Sequence, residues 1–133
     1  MRVLIIDDDP DDIQISREAL VAIDPSILCL TAKDGEDAWE VLKKESALPD
    51  YIFADVNMPV MDGKEFLIHV KNSMRFRTIP VIIFSTSTND KEIVELKKLG
   101  AKEFIVKPYS FDKLVQSIRS VIHHKIKTRK TNA

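Results

Sequence analysis

At 133 residues, 44% of them hydrophobic and 31% charged, the chain has the length and balance of one globular domain that buries a continuous core without disulfides, and a second folded unit has no room. No apolar run approaches the roughly 20 residues needed to span a bilayer. Met1 and Arg2 lead straight into a strand-like run with no signal region, so a cytoplasmic protein is expected. The net charge of −1 excludes the basic excess of a general polyanion binder.

In chain order, the first expected strand is 3–6, followed by an acidic run in which Asp9 and Pro10 read as the N-cap and first residue of a helix. Asp11 and Asp12 then lie near the positive end of that helix's dipole. Ile13, Ser16, Leu20 and Ile23 mark its face. A second strand at 27–31 contains Cys29, the lone cysteine, read as a buried, reduced thiol without a role. Ala38, Val41 and Leu42 give the second helix, with Trp39 as a packing residue. The third strand, 51–54, ends at Asp55, and Phe66, Leu67 and Val70 give the third helix. The fourth strand is 81–84, and Ile93 and Leu96 mark a helix ended by Gly100, a residue free to take the left-handed conformation. After a fifth strand at 103–106, the set Phe111, Leu114, Val115, Ile118 and Ile122 draws one apolar stripe.

Charge is unevenly spread. Six aspartates and one glutamate precede residue 30, and no acid follows Asp112. The domain is therefore expected at 1–126, with 127–133 a basic tail read as a solvated, frayed helix end.

Alternating β and α segments with short connections predict right-handed crossovers and a doubly wound, five-stranded parallel α/β sheet with helices on both faces. Consecutive apolarity predicts strands buried on both sides. Ligands in such a fold collect beyond the carboxyl ends of the strands. There the sequence delivers Asp7 and Asp8 after strand one, Asp55 after strand three, Ser85 and Thr86 after strand four and Lys107 after strand five. Clustered carboxylates repel one another until a hard divalent cation binds them, and Mg2+ (or Mn2+) is the expected ion. One carboxylate can then act as a nucleophile toward phosphorus while lysine and hydroxyl neutralise the transferred oxygens.

With these residues in order, 2–124 resembles the receiver domains of two-component response regulators, a CheY-like, flavodoxin-like fold. Residues 3–8 look like the family's first strand and acidic pair, and 55–63, DVNMPVMDG, like its phosphoacceptor loop. Ser85 matches the strand-four hydroxyl, and Lys107-Pro108 the lysine and following proline, whose peptide is usually cis in the family. The resemblance implies Asp55 as the phosphorylated residue, and Asp7, Asp8 and the backbone carbonyl of Asn57 as metal ligands beside it. Ser85 and Lys107 would contact the phosphoryl oxygens. Phe104 occupies the place of the switch aromatic, here without a phenolic hydroxyl. The implied function is that of a stand-alone phosphoacceptor signalling domain rather than an enzyme. Its phosphodonor would be a sensor histidine kinase or histidine phosphotransfer protein, and its output would pass by protein contacts to an unknown downstream protein, with no DNA-binding domain and no membrane.

Blander readings exist for each residue. Asp55 could be a turn former, Thr86 could supply the hydroxyl in place of Ser85, and Asp9 is read as a cap rather than a ligand. His69 has no second histidine at metal spacing and reads as a surface residue. Gly35, Gly63 and Gly100 are the only glycines, so neither GxGxxG nor a P-loop can be written. Two rival functions remain. One is a phosphatase of the haloacid dehalogenase type using Asp7 and Asp9 as D-x-D, and the other is a receiver-like module that is not phosphorylated.

Overall fold

The computed structural model describes residues 1–86 and 89–132, with side chains through residue 122. Ten elements alternate along the described residues: β1 (Arg2–Ile6), α1 (Pro10–Ile23), β2 (Leu28–Ala32), α2 (Gly35–Lys44), β3 (Tyr51–Asp55), α3 (Gly63–Lys71), β4 (Val81–Ser85), α4 (Asp90–Lys98), β5 (Glu103–Val106) and α5 (Phe111–Asn132). The strands form one sheet in the order β2-β1-β3-β4-β5, every pair parallel. The doubly wound α/β architecture expected from the sequence is the one observed.

Alternation along the strands builds two cores, one on each face. Leu4, Ile6, Ile52, Ala54, Val81 and Ile83 pack against Leu42 of α2, Phe66 and Leu67 of α3 and Leu96 of α4. Val3, Ile5, Phe53, Ile82 and Phe84 pack against Leu20 of α1 and Leu114, Ile118 and Ile122 of α5. The expectation of strands buried on both faces holds for β1, β3 and β4 and fails for β2 and β5. Those two are sheet edges, so each has a neighbour on one side only; Leu28 is half exposed and Val106 is exposed. No helix among the described residues is long and apolar enough to cross a membrane.

Helix starts are fixed by short acidic or amide side chains that accept backbone N–H groups. Asp9 caps α1, Asp34 caps α2, Asp62 caps α3 and Asn89 caps α4. Helix α4 ends in a Schellman arrangement: the Gly100 N–H donates to the Lys97 carbonyl and the Ala101 N–H to that of Leu96, with Gly100 at φ 112°. Helix α5 carries straight through the boundary expected at 126, and the side chains of the basic tail lie outside the described residues. The cis bond expected before Pro108 is not observed. No peptide is cis among the described residues, and trans is the lower-energy form of an X–Pro bond by about 0.5–1 kcal/mol.

One glycine ties this frame to the end of β3. The Gly63 N–H donates to the Val56 carbonyl at 3.0 Å, and a Cβ built at Gly63 would lie 2.3 Å from the Asp55 carbonyl oxygen. The start of α3 can approach β3 this closely only without a side chain. Gly63→Ala is expected to cost about 1–3 kcal/mol, read as a lower denaturant midpoint at unchanged slope; a midpoint equal to wild type would show that the loop can retreat freely.

Candidate functional site

Strand order reverses between β1 and β3, and the carboxyl ends of these two strands open the crevice where α/β sheets bind ligands. Asp7 and Asp8 follow β1 directly, because α1 is capped at Asp9 and leaves no longer connection. Asp55 is the last residue of β3. Asp7, Asp8 and Asp55 each offer a carboxylate oxygen, all within 4.8 Å of one another. Asp7 is buried, Asp8 exposed and Asp55 half-buried.

Lys107 completes the cluster from the far side of the sheet. Its N–H donates to the Ser85 carbonyl at 2.7 Å, which extends the β4–β5 pairing by one residue. The ammonium Nζ then donates to Asp7 Oδ2 at 2.9 Å, Asp12 Oδ2 at 3.2 Å and Asp55 Oδ2 at 3.2 Å. The three protons of an ammonium are thereby matched to three carboxylates. Burial pushes this lysine's pKa down, but its contacts with Asp7 and then the charges of Asp55 and Asp12 outweigh it, and the net shift is upward. Lys107 stays charged throughout the physiological range. For Asp7 the balance falls the other way: burial pushes its carboxyl up, and the Asp9 N–H at 3.0 Å and Lys107 only partly offset it. Both partners thus shift upward, and the directions are compatible. The lysine faces three acids, whereas Asp7 shares one lysine with two other acids while out of water.

Asp55 is held at its other oxygen. The Asn57 N–H donates to Asp55 Oδ1 at 3.3 Å, a local turn that leaves Asn57 exposed at the site's edge. The two hydroxyls weighed from sequence are placed on different faces by the pleat. Thr86 lines the same cleft as Asp7, Asp55 and Lys107, together with Ile15, Phe84 and Tyr109. Ser85 is fully buried, and by alternation it lies on the opposite face of β4, the face of Ile83, where Phe104 also packs.

The D-x-D reading finds no support in the geometry, since Asp9 Oδ1 accepts the Asp11 N–H and caps α1. His69 is exposed and Trp39 packs edge-on against Phe76 with His69 beside it, away from the acidic cluster. Asp12 is the contact that sequence reasoning missed. It was read only as a first-turn acid favouring the dipole, yet a helix that begins two residues after Asp8 must aim its first turn across the strand ends.

The pattern of the whole chain agrees with this arrangement. Residues 3–119 match the family model described as the response regulator receiver domain. The chain belongs to that family. As a receiver domain it is 30% identical over 122 residues to chemotaxis protein CheY1 of Helicobacter pylori, covering 92% of this chain and 97% of that one. It superposes with a TM-score of 0.85 on the phosphorylated cyanobacterial phytochrome response regulator RcpA, at 28% identity and covering 96% of this chain and 94% of RcpA. Receivers also occur inside longer proteins. The chain spans 15% of the sensor histidine kinase CheAY of H. pylori, to which it is 32% identical over 120 residues (90% of this chain). It spans 36% of a protein-glutamate methylesterase/protein-glutamine glutaminase of Methanosarcina acetivorans, 37% identical over 131 residues (91% of this chain).

The loop after Asp55 carries local strain. Val60 is 73% exposed and sits at φ 66°, the left-handed region that a β-branched side chain disfavours. The adjoining Met61 carbonyl accepts the Gly35 N–H at 3.0 Å, which pins the loop to the start of α2 and holds Val60 in place. Val60→Asn should stabilise the receiver by about 1 kcal/mol, because asparagine tolerates this conformation and no buried contact is lost. Thermal and denaturant unfolding check this, and an unchanged or lower midpoint would mean the valine is unstrained.

Proposed function

We propose that this receiver accepts one phosphoryl group on Asp55, from a histidine kinase or a histidine phosphotransfer protein, and signals by protein contacts that change when it does. The observation that carries the reading is the shared ammonium: Lys107 reaches both Asp7 and Asp55 across the sheet. It is therefore placed to neutralise negative charge that arrives at Asp55.

In the transfer an Asp55 carboxylate oxygen attacks phosphorus, the O–P bond forms, and the P–N bond to the donor imidazole breaks. The leaving nitrogen takes up a proton. Lys107 offers charge-assisted hydrogen bonds to the phosphoryl oxygens. The mutual placement of Asp7, Asp8 and Asp55 fits a hard divalent cation, Mg2+ or Mn2+, with the Asn57 carbonyl as a further oxygen ligand. When bound, the ion relieves carboxylate repulsion and neutralises charge on the transferred group. The chain's own residues orient the acceptor: the Asn57 N–H fixes one Asp55 oxygen, and Lys107 the other.

For the response we retain Ser85 and Phe104. Both lie on the α4 side of the β4–β5 pair, and Ser85 adjoins the site through the carbonyl that receives the Lys107 N–H. A phosphoryl group offers new acceptor oxygens, and a Ser85 hydroxyl drawn toward them vacates space for the Phe104 ring. A few kcal/mol of differential interaction is enough to shift such an equilibrium.

Incubation with a small phosphodonor and Mg2+ should add one phosphoryl group, mapped by peptide mass to Asp55. Modification at Asp7, or steady turnover of a phosphomonoester, would favour the phosphatase reading instead.

Asp8→Ala should weaken Mg2+ binding and slow phosphorylation. Asp9→Ala should leave the metal in place and cost about 1 kcal/mol of stability as a lost cap. Equal losses of Mg2+ affinity by calorimetry would defeat this division.

Ser85→Ala should still accept the phosphoryl group, more slowly, without the change in amide exchange over β5 and α5 that the wild type shows; Thr86→Ala should retain that change. The reverse outcome would transfer the role to Thr86.

A further inference from the structure

The proposed chemistry uses two of the three carboxylates on Lys107 and leaves Asp12 unexplained. Asp12 belongs to the first turn of α1, and its Oδ2 lies 3.2 Å from Lys107 Nζ. Its side chain is 42% exposed, against 8% for Asp7 and 12% for Asp55. It also lines the same cleft as Asp55, Thr86, Lys107 and Tyr109. Asp12 therefore stands at the rim, where an incoming phosphoryl group meets solvent, while the other two acids sit below it.

Two consequences follow from charge and geometry. Lys107 has three protons, and all three are engaged by carboxylates, so a phosphoryl group on Asp55 must take a proton from one of them. Asp12 is the partner to yield it: it is the most exposed of the three, and an exposed ion pair is the weakest held. Asp12 also adds a negative charge beside the place where an anion must settle. Without Asp12 the lysine would keep two anchors, Asp7 and Asp55, and so would stay in the site.

We propose that Asp12 is a positioning residue that restrains Lys107: its carboxylate holds one ammonium proton at the rim of the cleft and thereby weakens the hold of the site on a phosphoryl anion at Asp55. The inference rests on the receiver reading of Asp55. It assigns to the first turn of α1 a restraint on how readily the phosphorylated state is populated.

The test measures beryllofluoride, an anionic mimic of a phosphoryl group on a carboxylate, binding at saturating Mg2+ by fluorine NMR or calorimetry. Asp12→Asn should bind it about three- to tenfold more tightly than wild type, the effect of removing one charge several ångströms away at intermediate dielectric. Asp12→Ala should do the same, which keeps the result independent of how the asparagine packs. Asp12→Glu should return toward wild type. Asp11→Asn removes an equal charge from the neighbouring residue, whose side chain is exposed and is not among the partners of Lys107, and should change affinity much less. If the Asp12 variants bind no more tightly than wild type, or Asp11→Asn matches them, Asp12 is a bystander while the receiver reading survives. If wild type itself binds no mimic with Mg2+, the receiver reading falls and this inference with it.

Discussion

One ammonium group holds the acids at the strand ends together. Three carboxylates offer oxygens within 4.8 Å of one another, and a fourth, Asp12, stands at the rim. Repulsion among them would open the strand ends or drive protons onto the acids. Lys107 counters this from a position 100 residues along the chain from Asp7. That contact requires the sheet to be complete, since Lys107 is placed only when β5 has paired with β4. The binding of charge and the closure of the fold are thus one requirement.

The acids near the site divide into two kinds by what the backbone asks of them. Asp9, Asp34 and Asp62 each accept an N–H from the start of a helix, and so are engaged in ending loops. Asp7 follows β1 directly and Asp55 ends β3, and both face the crevice, where α1 and α5 cover one side and α2, α3 and α4 the other. Short connections make this possible: α1 begins four residues after β1 ends, and the Gly63 N–H returns to the Val56 carbonyl so that α3 starts close beside Asp55. Strain at Val60 and the missing side chain at Gly63 are the local costs of holding that loop tight.

Much of this was legible in the sequence. The alternation of apolar runs and helical stripes gave the α/β class, and the pairing of Asp9 with Pro10 gave the start of α1. The aspartates and the lysine at successive strand ends gave the cluster. Other features could not be read. An apolar run looks alike in a central and an edge strand, so the exposure of β2 and β5 waits on strand order. A first-turn acid favours the helix dipole whether or not it also reaches a lysine, so Asp12 was indistinguishable from Asp11. Two adjacent hydroxyls point to opposite faces of a strand, and only the cores on those faces show that Thr86 lies on the cleft side and Ser85 on the side of Phe104. The basic charge that set 127–133 apart says nothing of where a helix stops, and α5 runs to Asn132.

If the ammonium is what holds the acids of the site together, its removal should be felt most where no other cation can replace it. Denaturant unfolding of Lys107→Met beside wild type, in chelator and in saturating Mg2+, measures this directly. The account predicts that the variant is less stable than wild type in chelator, by the several kcal/mol that follow from leaving buried acid unpaired, roughly 3–5, and that Mg2+ narrows the difference. A variant as stable as wild type in chelator would contradict it, because the carboxylates would then be held together by something other than Lys107.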